Sequence, residues 1–150
     1  MSLRVETVSR ATSELLDGLN ALVPQLSTTA SRLTMSDVEH LVSSDAVTLF
    51  VARDDEDLVG ALTLVIFPTP TGQRAWIEDV VVDEDARGLG IGEMLTDAAL
   101  AIARQHAVRS VDLTSRPSRV AANALYQKLG FALRETNVYR FLIEPKSQRR

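Results

Sequence analysis

The sequence predicts an α/β fold: a mixed, predominantly antiparallel sheet with a central parallel pair and helices on both faces. Three observations carry this expectation. Three β-branched, apolar runs follow one another at 46–53, 58–67 and 74–82, with only short charged or Pro- and Gly-rich breaks between them, which reads as an antiparallel meander. The third run passes through a glycine-rich turn into an amphipathic stretch at 92–107 and then a further run at 108–115, and strand, helix, strand is a right-handed parallel crossover. The 150 residues hold no internal repeat, low-complexity tract or linker, so one domain over 1–150 is expected, with the polar tail 145–150 fraying.

Each element has its own local reason. Residues 3–8 alternate weakly and read as an edge strand. Thr12 or Ser13 caps a helix over 14–26, whose Leu15, Leu16, Leu19, Leu22 and Val23 form an apolar stripe, and Pro24 is expected to bend or end it. Ser36 followed by Glu39 resembles a capping box opening a short helix over 37–44. The strands at 46–53 and 58–67 form a hairpin across the charged turn 54–57, and 68–72 breaks the chain before the strand at 74–82. After the glycine turn come the helix at 92–107, the strand at 108–115, and a helix over 118–130 with Ser118 as its cap and Gly130 as its terminator. One or two closing strands around a turn near 134–136 are expected over 131–143. The order is β α α β β β α β α β β.

Composition removes several function classes. There is no cysteine, so disulfides, thiolate metal sites and cysteine nucleophiles are excluded. His40 and His106 stand in no metal-ligand spacing, and no metal is expected. A net charge of −4 speaks against a nucleic-acid partner. No basic-then-apolar leader and no run long enough to span a bilayer is present, so a cytoplasmic protein without a membrane partner is expected.

The chemistry lies in VVVDEDARGLGIGEML, residues 80–95. One glycine would make a turn, but three at alternate positions let something approach the backbone closely. A helix start offers amides without intrahelical partners and the positive end of the dipole, and Arg87 adds a forked cation. The turn therefore reads as a cradle for phosphate or pyrophosphate. A P-loop is excluded because no Lys-Ser/Thr pair follows. A dinucleotide fingerprint needs GxGxxG, whereas the spacing here is GxGxG in mid-chain; Asp112, at the distance of that motif's acid, sits in an alternating strand where it can simply face solvent.

Arg87, Gly90 and Gly92 match the R/Q-x-x-G-x-G/A signature of the GNAT superfamily of N-acetyltransferases, which the chain resembles. NALYQKLGF at 123–131 is similar to that superfamily's second signature, and the element order is the family's. The resemblance covers nearly the whole chain and implies the GNAT acyltransferase fold. It implies acetyl-CoA as co-substrate and direct transfer to a primary amine of a small molecule in a ternary complex. The pyrophosphate would meet Arg87, Gly88, Leu89, Gly90, Ile91 and Gly92. The pantetheine arm would lie along the main chain of Val80, Val81 and Val82, and a strand amide near Val80 would serve the oxyanion. Asn123 would bond the coenzyme arm, and Tyr126 would protonate the departing thiolate.

For the base, Glu78 is favoured over Asp79. Strict alternation puts Trp76, Glu78, Val80 and Val82 on one face and Ile77, Asp79 and Val81 on the other, so Glu78 is a carboxylate on a largely apolar strand, suited to relay a proton through water. Arg116 and Arg119 are candidates for coenzyme phosphates or an anionic substrate, and Asn137, Tyr139 and Arg140 for the acceptor wall. The acceptor is not legible, and a homodimer is compatible with the sequence. Two other readings stay open: a non-catalytic acyl-CoA-binding or regulatory module, and an acetyltransferase acting on a protein amine.

Overall fold

A computed structural model describes residues 2–143. It divides into two compact units, residues 1–116 and 117–150. The first unit holds a five-stranded sheet in the order β1-β2-β3-β4-β5, built from β1 (Leu3–Thr7), β2 (Val47–Asp54), β3 (Asp57–Thr69), β4 (Gly72–Val82) and β5 (Val111–Asp112). The first four strands pair antiparallel, and β4 and β5 pair parallel. Helices α1 (Ser13–Leu26), α2 (Met35–Ser43) and α3 (Ile91–Gln105) complete this unit.

The caps show local chemistry setting the helix ends. The Thr12 hydroxyl accepts from the Leu15 amide and opens α1 as expected. Pro24 lies inside the last turn of α1 and the helix runs two residues past it. The capping box of α2 is Thr34 with Asp37, not Ser36 with Glu39. Asp37 N–H donates to the Thr34 hydroxyl and Thr34 N–H to the Asp37 carboxylate, so Ser36 falls inside the first turn. The Thr34 amide and then the Thr34 hydroxyl, both donating to the Asp37 carboxylate, hold that carboxyl below the usual carboxylate range.

Sheet register divides the core. Leu49, Val51, Ala61 and Val81 face α1 and α2, packing with Leu15, Leu19, Leu22 and Val38. Phe50, Leu62, Leu64 and Ile77 are buried on the opposite face, where α3 contributes Ile91, Leu95, Ala99 and Ala103. Burying each such leucine or isoleucine is worth roughly 1.5–3 kcal/mol. Gly60 lets α3 lie close: a Cβ there would sit 3.1 Å from the Ile91 side chain and 3.2 Å from that of Leu95.

The expectations for the strands after β4 are corrected. The strand at 108–115 shrinks to β5, because only Ala75–Val111 and Trp76–Asp112 pair. No strand is assigned over 131–143 among the described residues, so the parallel pair stands at the edge of the sheet there rather than at its centre. Alternating apolar residues make such a segment able to pair, but a strand also needs a hydrogen-bonded neighbour. The tail 145–150 lies outside the described residues.

The second unit contains α4 (Val120–Lys128). Its N-cap is Arg119 without a side-chain bond, in place of the Ser118 cap expected. Its C-terminus closes at Gly130, φ +101°, with Phe131 N–H donating to the Tyr126 carbonyl and Gly130 N–H to that of Gln127. This is a Schellman motif, which uses glycine for its left-handed residue.

Candidate functional site

β4 sets the site. Its ladder with β3 runs in register to Glu78–Thr63 and resumes at Val81–Ala61, so Asp79 and Val80 together oppose Leu62. This is a β-bulge, and Asp79 takes φ +51°, a left-handed conformation that aspartate tolerates better than most residues. The extra residue inverts the face order beyond it. Thr63 and Ala61 share one face of β3, so their partners Glu78 and Val81 share one face of β4. Glu78 therefore stands on the α1–α2 side with Val81, not on the face opposite to it as strict alternation predicts. Glu78 and Asp79 are both exposed, so Glu78 is not embedded among the apolar residues of its strand.

The bulge also marks where the sheet opens. The parallel ladder between β4 and β5 ends at Trp76–Asp112, two residues before Glu78, while β4 continues on its β3 side to Val82. Asp83 N–H donates to Val59 O at 2.8 Å. Backbone direction alternates along a strand, so the amides of Val81 and Asp83 face β3, and those of Val80 and Val82 face the side where β5 has ended.

β4 then passes through a short 3-10 turn (Glu84–Ala86) into the glycine turn. The Asp83 carboxylate accepts from Asp85 N–H, and the Gln25 side-chain oxygen accepts from Glu84 N–H at 2.9 Å, tying this bend to the end of α1. Gly88 and Gly90 take φ of +83° and +80°, and a Cβ at either would meet nothing within 4 Å. Gly90 caps α3 with no side-chain bond, leaving the first amides of α3 to an outside acceptor. Arg87, Gly88, Leu89 and Gly90 are exposed, Ile91 is buried beneath them, and Gly92 is half-buried. Bare backbone, helix amides without a capping side chain and an exposed guanidinium are the parts that an anion cradle needs. On the α1 side of this turn lies a cavity of about 850 Å³ lined by carboxylates, among them Glu14, Asp17, Asp54, Asp57, Asp83 and Asp85. Their field directs a phosphate away from that wall.

One continuous run of the first unit, Glu78 to Gly92, thus carries the candidate base, the valine backbone and the cradle. Asn123 and Tyr126 belong to the second unit, one turn apart on α4. The Asn123 side-chain amide donates to the Arg119 carbonyl at 2.7 Å. The Tyr126 and Phe131 rings meet edge to face at 5.7 Å. Burial pushes the Tyr126 phenol above its ordinary pKa, opposed by the charge of Arg119, so the phenol stays protonated. Asn137 donates to the Tyr139 hydroxyl at 3.4 Å. The bulge is the feature that sequence reasoning missed. Aspartate at a left-handed position has only a weak local signature, and a glycine there would have been the visible one.

The sequence matches the acetyltransferase (GNAT) family over residues 16–131. It is 37% identical to the mycothiol acetyltransferase of Geodermatophilus obscurus over 97 residues, which are 63% of this chain and 32% of that protein. The chain thus spans about a third of the length of that relative. An acetyltransferase of Trypanosoma brucei superposes with a TM-score of 0.75 at 25% identity, over 94% of this chain and 100% of that one. An aminoglycoside N-acetyltransferase in complex with CoA superposes with a TM-score of 0.79 at 17% identity, over 94% and 95% of the two chains, a likeness of fold.

Proposed function

The chain belongs to the GNAT family of acetyltransferases, and from that premise we propose that it moves an acetyl group from acetyl-CoA to a primary amine of a small molecule. The observation that carries the reading is the sheet opening at the β4 bulge directly upstream of the glycine cradle. An extended thioester arm needs a strand edge with unused amides, and its pyrophosphate needs a helix start free of side chains. One stretch of β4 and the turn after it supplies both.

In this reading the pyrophosphate takes the amides from Arg87 to Gly92, and the arm lies along Val80, Val81 and Val82. The amine, relieved of a proton through water by Glu78, attacks the thioester carbonyl carbon within a ternary complex. The Val80 amide receives the developing oxyanion. The carbon–sulfur bond then breaks, and the thiolate takes the Tyr126 proton while Asn123 holds the arm; the proton that the nitrogen sheds as it becomes the amide passes through water and returns Tyr126 to its neutral form. Glu78 suits its part by position, on the α1–α2 face just before the opening.

Calorimetric titration with acetyl-CoA, followed by a screen of amines for thiol release, tests the proposal. The expected result is saturable binding and amine-dependent release. Binding without release to any small amine would favour the non-catalytic module or a protein acceptor, and absence of binding would overturn the coenzyme. Gly90→Ala separates cradle from fold. Forcing a side chain into φ +80° costs roughly 1–2 kcal/mol of stability. It also puts a methyl where the phosphate is to lie, so coenzyme affinity should fall about tenfold or more while the protein stays folded by circular dichroism. Undiminished affinity would remove the turn from the site.

A further inference from the structure

We infer that Asp112 is a second anchor for the acceptor, and that the acceptor therefore carries a cationic group besides the amine that reacts. This rests on the acetyl-transfer reading above and names the substrate class for that site.

Parallel partners share a face, so the Trp76–Asp112 pair puts the Asp112 side chain on the face of Trp76, which is also that of Glu78. Arg74, on the same face, is one row from Asp112 on the side away from Glu78. Glu78 is exposed, and Trp76 and Asp112 are partly buried. Strand spacing and rise put the Asp112 and Glu78 Cβ atoms roughly 8 Å apart, with the indole of Trp76 in the same row. Among the described residues neither carboxylate has a hydrogen bond or ion pair. A partly buried carboxylate without a partner is costly unless a cation comes to it. The two acids have separate uses. Glu78, nearest the opening, is next to the reacting nitrogen. Asp112, at the end of the ladder, lies one short carbon chain away and meets an ammonium over an aromatic surface. A carboxylate at that second position of the ligand would instead be repelled.

Trp76 is the one tryptophan of the chain, so its emission reports ligands at this face directly. The protein, with and without CoA, is titrated with 1,4-diaminobutane, butylamine and 4-aminobutyrate. The diamine is expected to perturb the emission at a concentration at least tenfold below that of butylamine, with 4-aminobutyrate weakest. Asp112→Asn should abolish the difference between diamine and monoamine and leave CoA affinity unchanged, and Asp112→Glu should restore part of it. A wild-type protein that treats the diamine and butylamine alike, or a preference that survives in Asp112→Asn, overturns the inference. Acetyl-CoA binding and thiol release, measured on the same samples, keep the two readings apart. Turnover without diamine preference sinks the anchor alone, while an Asp112-dependent preference in a protein that does not bind acetyl-CoA sinks the enzyme reading alone.

Discussion

A phenol that is to protonate a leaving thiolate must still hold its proton when the bond breaks, and the surroundings of Tyr126 favour that form. Burial raises its pKa, and the charge of Arg119 only partly opposes this. For a raised acid the neutral donor persists at every pH below the raised value and is lost only as pH climbs through it, above the ordinary tyrosine value of about 10. Any fall in rate on the alkaline side below about pH 10 must then belong to another group. Tyr126→Phe is expected to lower kcat about 100-fold, with the KM for acetyl-CoA little changed and the alkaline limb keeping its shape. Thiol-release kinetics from pH 6 to 10 on both proteins check this, and an unchanged kcat would remove Tyr126 as the acid. Its T-shaped contact with Phe131 survives the substitution, so a packing role alone predicts no effect.

The bulge in β4 is where one residue changes a whole element. Two residues facing Leu62 turn Val81 onto the α1–α2 face, and the parallel ladder stops upstream of that turn. Asp79 holds the bulge in a left-handed conformation, which yields a paired prediction. Asp79→Gly relieves strain and should raise stability or leave it unchanged. Asp79→Val puts a β-branched residue at φ +51° and should cost roughly 1–2 kcal/mol. If the extra residue is expelled to escape that cost, acetyl-CoA affinity should fall as well. Urea unfolding and calorimetry on both variants decide it, and a valine variant with native stability and affinity would mean that φ at 79 does not hold the bulge. The same element shows what is legible from residues. β-Branched runs announced β2, β3 and β4, the apolar period announced α1 and α3, and GxGxG marked the left-handed glycines at 88 and 90. A bulge depends on how two strands accommodate each other, which no local window contains, so the faces beyond Glu78 were read inverted. The ends of β5 and the closing segment escaped for a related reason: strand length is set by the neighbour and not by propensity alone.

Across the whole first unit, one cation joins elements distant in sequence. Arg53 on β2 donates to Glu6 on β1 at 2.7 Å, to both carboxylate oxygens of Glu14 on α1 at 2.9 Å, and to the Glu56 carbonyl of the β2–β3 turn at 3.1 Å. The Arg53 side chain is 11% exposed, so its charge is bought out of water only because these acceptors receive it. Through Arg53, the start of α1 is fixed to the strands, and α1 in turn packs on Val81 just past the bulge. The hydrogen bond to Arg53, and then its charge, hold the Glu14 carboxyl below the usual carboxylate range, with desolvation opposing. A lowered folded-state pKa gives stability that is present above the unfolded value, about 4.3, and lost as pH falls through the folded one. Because Glu14 is largely exposed, screening keeps its own share small, and the larger loss comes from leaving the polar cluster without its centre. Arg53→Met should therefore cost roughly 1–3 kcal/mol at pH 7. Between pH 5 and about 3 it should lose stability less steeply than the parent chain, since one carboxyl no longer has a lowered pKa to give up. Urea unfolding at several pH values measures both quantities. Parallel slopes for the two proteins would mean that the Arg53–Glu14 bond does not persist in solution, and α1 would then be held on the sheet by its leucines alone.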